Sequence, residues 1–276
     1  MAESDPIVIG DEDTQGEDEY HASIRTDFLD FVPLFQDALV KVQHNQREGL
    51  EVLGPFFTEI ERRLSGINQQ AIVSAGSCYP LTVLGFCKCL HPRRWLDETF
   101  ISCYANLLRS KFPAMAIISG LFVEMLFRFE HCRQELPKEA ESRESWDNVL
   151  LVIVRQGHFS LVHIQAAQST LHYFDSMFTL PEDLKSLLPE WLTLYGRSKC
   201  QFESWPRHAE DWIWHVVQVP RQANSDDCGV FCCVFMRMAL GAPSLLSSAT
   251  ETVNFANMLP IRRLLCLEVA CGTLLL

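Results

Sequence analysis

Residues 149–154, Val-Leu-Leu-Val-Ile-Val, form an unbroken run of branched apolar side chains in a chain whose other hydrophobic stretches mostly recur at helical spacing. A strand reads this way when both of its faces are covered. The run therefore demands a packing layer on each side of a sheet. Two more strands follow it, over 158–164 and 170–174, joined by a polar turn at 165–169, and a fourth is expected over 212–219.

The flanking segments are helical in period. Phe28, Phe31, Leu34, Phe35, Leu39 and Val42 repeat at helical spacing, as do Leu50, Leu53, Phe56, Phe57, Ile60 and Leu64. Gly54-Pro55, within the second run, is expected to begin a new helix rather than sit inside one. Residues 95–108, 181–195, 228–240 and 260–269 read as further helices, and the charged, proline-containing stretch 137–146 as a loop. Asn224-Ser225-Asp226-Asp227, all good capping types, introduce the helix at Cys228. A sheet set between helices without internal repeats makes the fold class α+β.

Charge narrows the function classes. The net charge is -12, of which eight negative charges lie in residues 1–19, a stretch without Lys or Arg. That tail, 1–24, is expected to be disordered. The body lacks the basic excess of a generic nucleic-acid binder. The N-terminus does not resemble a signal peptide, and the longest apolar stretch, around 114–125, is too short and interrupted for a membrane span. Eleven cysteines, an odd number, without a secretory signal argue against disulfides. Cys87 and Cys89 are too close for a zinc knuckle, so no metal or other cofactor is expected. These features predict an intracellular protein of the nucleus or cytoplasm, with neither nucleic acid nor membrane as partner.

The chemistry starts at Cys228, in Asp226-Asp227-Cys228-Gly229-Val230-Phe231 at a helix start. A helix N-terminus stabilises a thiolate, and the following glycine is expected to let a substrate backbone approach. A buried, inert cysteine is the alternative. A reactive thiol needs a base, and the base needs an orienter. His158 opens a strand after Gly157, and Asp175 ends the next one. Either could be structural, and the strand register decides whether they meet. Gln222, six residues before Cys228, could donate to an oxyanion together with the Cys228 N–H.

In combination these blocks resemble the SUMO-specific (Ulp and sentrin-specific) cysteine protease family, related to the adenovirus proteinase. Residues 220–231, Pro-Arg-Gln-Ala-Asn-Ser-Asp-Asp-Cys-Gly-Val-Phe, are similar to the family's P-Q-Q-x-N-x-x-D-C-G-V-F, departing at Arg221. His158-Phe159-Ser160-Leu161 resembles H-W-S-L, and Tyr173-Phe174-Asp175-Ser176-Met177 resembles Y-x-D-S-L. Trp95-Leu96-Asp97-Glu98, with Ile101, Tyr104 and Asn106-Leu107-Leu108, resembles the family's W-L-N-D helix motif, and Met258-Leu259-Pro260 to Arg263 its D-M-P-x-x-R. The likeness runs over roughly 78–269 in the family's order.

The resemblance implies a papain-like cysteine protease fold with a central mixed β-sheet. With the acidic tail over 1–24 and the helical segment over 25–77 read above, it implies a catalytic domain over 78–276. The triad would be His158, Asp175 and Cys228, with Gln222 at the oxyanion. The activity would be hydrolysis after the C-terminal Gly-Gly of a ubiquitin-like modifier, most naturally SUMO, in deconjugation or maturation. Trp95 and Phe159, the latter a Trp in the family, would clamp the Gly-Gly, and Glu98, in place of an Asp, would face the modifier. Ile7-Val8-Ile9 followed by Asp11-Glu12-Asp13 resembles a SUMO-interaction motif, whose strand joins SUMO's sheet edge. SUMO or another ubiquitin-like protein, with its conjugates, is then the partner. The rival readings are a deubiquitinase, a protease for another modifier, and a catalytically dead modifier-binding module.

Overall fold

The computed structural model of the chain describes residues 32–44, 46–70, 72–74, 80–118, 148–199, 205–241 and 258–274. The acidic tail and the 137–146 loop lie outside these residues. The order is α1 (Val32–His44), α2 (Gln46–Leu64), β1 (Ile72–Ser74), β2 (Leu81–Thr82), α3 (Val83–Leu90), α4 (Glu98–Lys111) and β3 (Ala116–Ile118). Then come β4 (Asn148–Arg155), β5 (His158–Gln165), β6 (Thr170–Phe174), α5 (Glu182–Lys199), β7 (Ile213–Val216), α6 (Cys228–Ala239) and α7 (Leu259–Cys271).

The main sheet has the order β3-β4-β5-β6-β7 and is mixed: β3 is parallel to β4, β7 is parallel to β6, and the three central strands are antiparallel. Both faces are covered, and for that reason β4 is apolar throughout. Leu150 and Val152 point into one core with Leu161, Phe174 and α6. Val149, Leu151 and Ile153 point into a second core with Leu184, Leu188, Trp191 and Leu192 of α5. Alternate residues thus serve opposite layers.

α6 is the most enclosed helix among the described residues, with every residue from Cys228 to Arg237 buried. A helix apolar all round belongs inside a core, and its single cation there needs an internal counter-ion. Arg237 Nη1 donates to Glu268 Oε1 (2.7 Å) and Oε2 (2.9 Å) and to the Tyr104 hydroxyl (3.2 Å), which in turn donates to Glu268 Oε2 (3.0 Å). Burial pushes the Tyr104 pKa well up, which keeps the hydroxyl a donor. This knot ties α4, α6 and α7 together. The N-terminal helices join the same core through Phe35, Leu53, Phe57, Ile60 and Leu64.

Several boundaries differ from the sequence reading. Gly54-Pro55 stays inside α2 instead of starting a helix. Packing of Leu53, Phe57 and Ile60 holds the helix through the proline, and a side chain at Gly54 would come within 3.3 Å of Arg263 Nη1 on α7. The helix expected from Trp95 begins at Glu98, because the Asp97 side chain caps it by accepting from Phe100 N (2.9 Å). β7 is shorter than 212–219: β6 offers partners only as far as Tyr173↔Val216, and Trp212 turns into the core.

Removing Glu268 leaves a buried guanidinium without its carboxylate. Glu268→Ala should therefore destabilise the fold by about 3–5 kcal/mol, read as a lower urea midpoint. A loss below about 1 kcal/mol, the scale of an exposed pair, would contradict this account.

Candidate active site

Four segments converge at one end of the sheet. The first is the β4–β5 hairpin. Arg155 pairs with His158, so Gln156 and Gly157 form a two-residue turn, with φ of 51° and 78°. Two positive φ values are what a twisted hairpin requires of such a turn, and glycine supplies the second without strain. The turn delivers His158 as the first residue of β5.

The second segment is the end of β6. The pairing Leu161↔Phe174 carries Asp175 opposite Ser160, on the same sheet face as His158. His158 Nε2 lies 3.0 Å from both Asp175 oxygens. The carboxylate also accepts from the Tyr173 hydroxyl (2.6 Å), Met177 N (2.7 Å) and Phe178 N (2.8 Å). Burial pushes the Asp175 pKa up, but His158, Tyr173 and the two backbone donors outweigh it and hold the carboxyl below its ordinary value.

The third segment is the start of α6. Cys228 is its first residue and is 2% exposed. Its side chain lies near enough to His158 to help push that ring's pKa up. Since Nε2 faces the carboxylate, Nδ1 is the nitrogen left for the thiol. Burial alone would lower the His158 pKa, but the hydrogen bonds to Asp175 and the interactions with Asp175 and Cys228 push it up to about 9. The ring is thus suited to remain an imidazolium at neutral pH. Phe178 meets it edge-on at 4.8 Å. Burial pushes the pKa values of Cys89, Cys232 and Cys233 up, and that of Cys266 up to about 12.

The loop before α6 is tied from within. The expected cap residue Asp227 makes no side-chain cap bond. Its carboxylate instead takes Arg262 Nη2 (2.8 Å) and Asn224 Nδ2 (2.8 Å), while Asn224 Oδ1 accepts from Asp226 N and Asp227 N. Arg262, 1% exposed, also donates to the carbonyls of Asp226 and Cys89 (3.2 Å each). Gln222 is half-buried in this loop and bound to Ser176 and Asn224.

The fourth segment is Trp95-Leu96. Trp95 is 57% exposed and lies over Gly157, where an added Cβ would come within 3.1 Å of its ring. Leu96 lies against Gly229, where a Cβ would come within 2.9 Å of the Leu96 Cβ. The glycine after Cys228, expected to admit a substrate, is thus required by the chain's own packing. Phe159 is 6% exposed and belongs to the core, while Glu98 is half-buried on the first turn of α4. Ile7, Val8 and Ile9 lie outside the described residues. Tyr173, Ser176, Phe178 and Arg262 had no assigned role in the sequence reading; the i, i+2 spacing of Tyr173 and Asp175 on one strand was the available signal for the first.

A cavity of about 320 Å³ opens behind the His158–Asp175 pair, lined by both and by Tyr173 and Phe178 but not by Cys228. Among the described residues no group of three His, Cys, Asp or Glu is set to hold a metal ion, and no helix is long and apolar enough to cross a membrane.

Residues 94–256, which include all of His158, Asp175, Gln222 and Cys228, match the Ulp1 protease family, C-terminal catalytic domain. The chain belongs to the Ulp1 protease family. It is 27% identical over 195 residues to human sentrin-specific protease 2, covering 67% of this chain and 32% of that protein. It is 26% identical over 157 residues to ubiquitin-like-specific protease 1 of Saccharomyces cerevisiae, covering 56% and 24%. The chain thus spans about a third or less of the length of these Ulp1-family relatives. The fold is that of the C-terminal Ulp1 protease domain solved in complex with Smt3, the yeast ortholog of SUMO (TM-score 0.60, 19% identity, 78% of this chain and 93% of that one). It is equally similar to the Ulp1-like SUMO protease catalytic domain of Chaetomium thermophilum (TM-score 0.61, 21% identity, 78% and 88%).

The raised His158 pKa has two measurable consequences. Followed by NMR, the ring should titrate near 9, and Asp175→Asn should move that titration down; an ordinary histidine titration in the wild type would refute the coupling. In an unfolded chain His titrates near 6.5, so the proton contributes stability that is whole below about 6.5 and is lost as pH rises through about 9. The stability gap between wild type and Asp175→Asn should narrow over that window.

Proposed function

We propose that this protein is a cysteine peptidase and isopeptidase that cleaves after the C-terminal Gly-Gly of a ubiquitin-like modifier, with SUMO as the modifier, releasing it from conjugates or maturing its precursor. The observation that carries the reading is the His158 imidazole, bonded through Nε2 to the buried Asp175 carboxylate, with its pKa pushed up in part by Cys228 at the start of α6. Family membership supports the reaction class. The names of the relatives, a sentrin-specific protease and a domain solved with a SUMO ortholog, support the modifier.

The chemistry follows from the groups. The Cys228 thiolate attacks the carbonyl carbon of the terminal glycine, and the negative charge that develops on the oxygen is met by the Cys228 N–H and the Gln222 amide. The His158 imidazolium gives its proton to the leaving amine as the C–N bond breaks, leaving a thioester. Water then attacks the thioester as His158 takes one of its protons; collapse of the intermediate expels the thiolate beside the re-formed imidazolium, and the modifier's carboxylic acid gives its remaining proton to solvent and leaves as a carboxylate. Asp175 holds the ring throughout. Trp95 offers an exposed indole beside the hairpin for the glycine tail, and Phe159 and Glu98 are assigned to the glycine clamp and the modifier body by the family resemblance.

We assign the Ile7-Val8-Ile9 segment to capture of SUMO by strand addition, assisted by the acids that follow it. The free state of all the described cysteines suits a reducing compartment, the cytoplasm or nucleus.

Electrophilic probes test the modifier directly. A C-terminally reactive SUMO should form a covalent adduct with the wild type and none with Cys228→Ala; an adduct with the ubiquitin probe alone would transfer the activity to another modifier. Gln222→Ala should lower kcat by about 10²-fold, the scale of one oxyanion donor, with little change in KM; a pure KM effect would remove Gln222 from that role. Deleting residues 1–24 should weaken SUMO binding, most visibly at low salt, and leave cleavage of a short Gly-Gly reporter unchanged. Unchanged SUMO affinity would reduce the tail to a solvated leader.

A further inference from the structure

Ser176 is 1% exposed and sits directly after Asp175, yet the chemistry above gives it no part. It grips one residue twice. The Ser176 carbonyl accepts from Gln222 N (3.0 Å), and the Ser176 hydroxyl donates to Gln222 Oε1 (2.5 Å). The direction of the second bond is fixed by a third group. The other end of the Gln222 amide lies 2.6 Å from the Asn224 carbonyl oxygen, which can only accept. The atom there must be Nε2, so the atom facing Ser176 is Oε1 and the serine is the donor.

We propose that Ser176 is a positioning residue for Gln222, locking its amide so that Nε2 carries a hydrogen toward the oxyanion. An amide is a donor at one end and an acceptor at the other. With Oε1 held by the serine and one Nε2 hydrogen held by Asn224, the second Nε2 hydrogen is the one donor of the side chain left to give. Without the hydroxyl, Oε1 loses its buried partner, the amide gains rotational freedom, and orientations that turn Oε1 toward the developing negative charge become accessible. Asp175 and Ser176, adjacent at the end of β6, then serve two halves of one reaction: the first orients the base, the second the oxyanion donor.

This inference rests on Gln222 acting at the oxyanion, and a double-mutant cycle separates the two. Ser176→Ala should lower kcat by about 3- to 10-fold, the scale of one hydrogen bond, with KM unchanged. In a Gln222→Ala background the same substitution should cause no further loss, since there is no amide left to orient. Alkylation of Cys228 by iodoacetamide should keep its wild-type rate and pH profile in Ser176→Ala. That readout reports the His158–Asp175 half and the integrity of the fold around it. A wild-type kcat in Ser176→Ala, an equal loss in both backgrounds, or a shifted alkylation profile would each overturn the proposal. A wild-type kcat in Gln222→Ala would instead strike the oxyanion reading itself and take the proposal with it.

Discussion

The enclosure of α6 is the constraint from which the site follows. A helix buried on every side from Cys228 to Arg237 cannot shift without opening the core, so the place of its first residue is fixed by packing and not by a surface loop. Both ends of the helix carry charge that burial makes costly, and each end meets a specific partner: Glu268 and Tyr104 at Arg237, and Arg262 at Asp227. α7 supplies a member of each set, Glu268 and Arg262, and so anchors the helix at both of its ends. The segment after the family match is therefore as much a part of the site's architecture as the motif residues themselves.

The same logic holds across the sheet. β5 and β6 are central strands with neighbours on both sides, and their fixed register places His158 and Asp175 on one face. The carboxylate is over-supplied with donors, two of them backbone amides just beyond the strand end. Such a group stays ionised in a buried setting and can hold a proton on the imidazole. Rigid elements thus carry both His158 and Asp175, while the glutamine proposed for the oxyanion sits on a loop tied by Asn224 and Ser176.

The sheet was legible because its signals are local. A doubly covered strand must be apolar at every position, and β4 is; β6 was bounded to the residue because Ser169 and Asp175 both break the pattern. Helix starts were less legible where a short polar side chain competes with periodicity: Asp97 cut the α4 helix three residues late of the apolar pattern. At Gly54-Pro55 tertiary packing overrode a strong local breaker. The ordered motif blocks carried the active-site residues, but no sequence pattern says that Asp227 answers to Arg262, or that Phe159 lies in the core at 6% exposure. Those are long-range facts, set by which side chain reaches a buried charge and which face of a strand looks inward.

The Trp95-Leu96 dipeptide touches the two halves of the site at once. Its indole rests on Gly157 beside the imidazole, and its leucine rests on Gly229 beside the thiol. It works as a shim between hairpin and helix. The spacing of hairpin and helix, and with it of His158 and Cys228, is therefore gauged by two missing methyl groups, and a side chain at either glycine would wedge the two apart without removing a single reactive group.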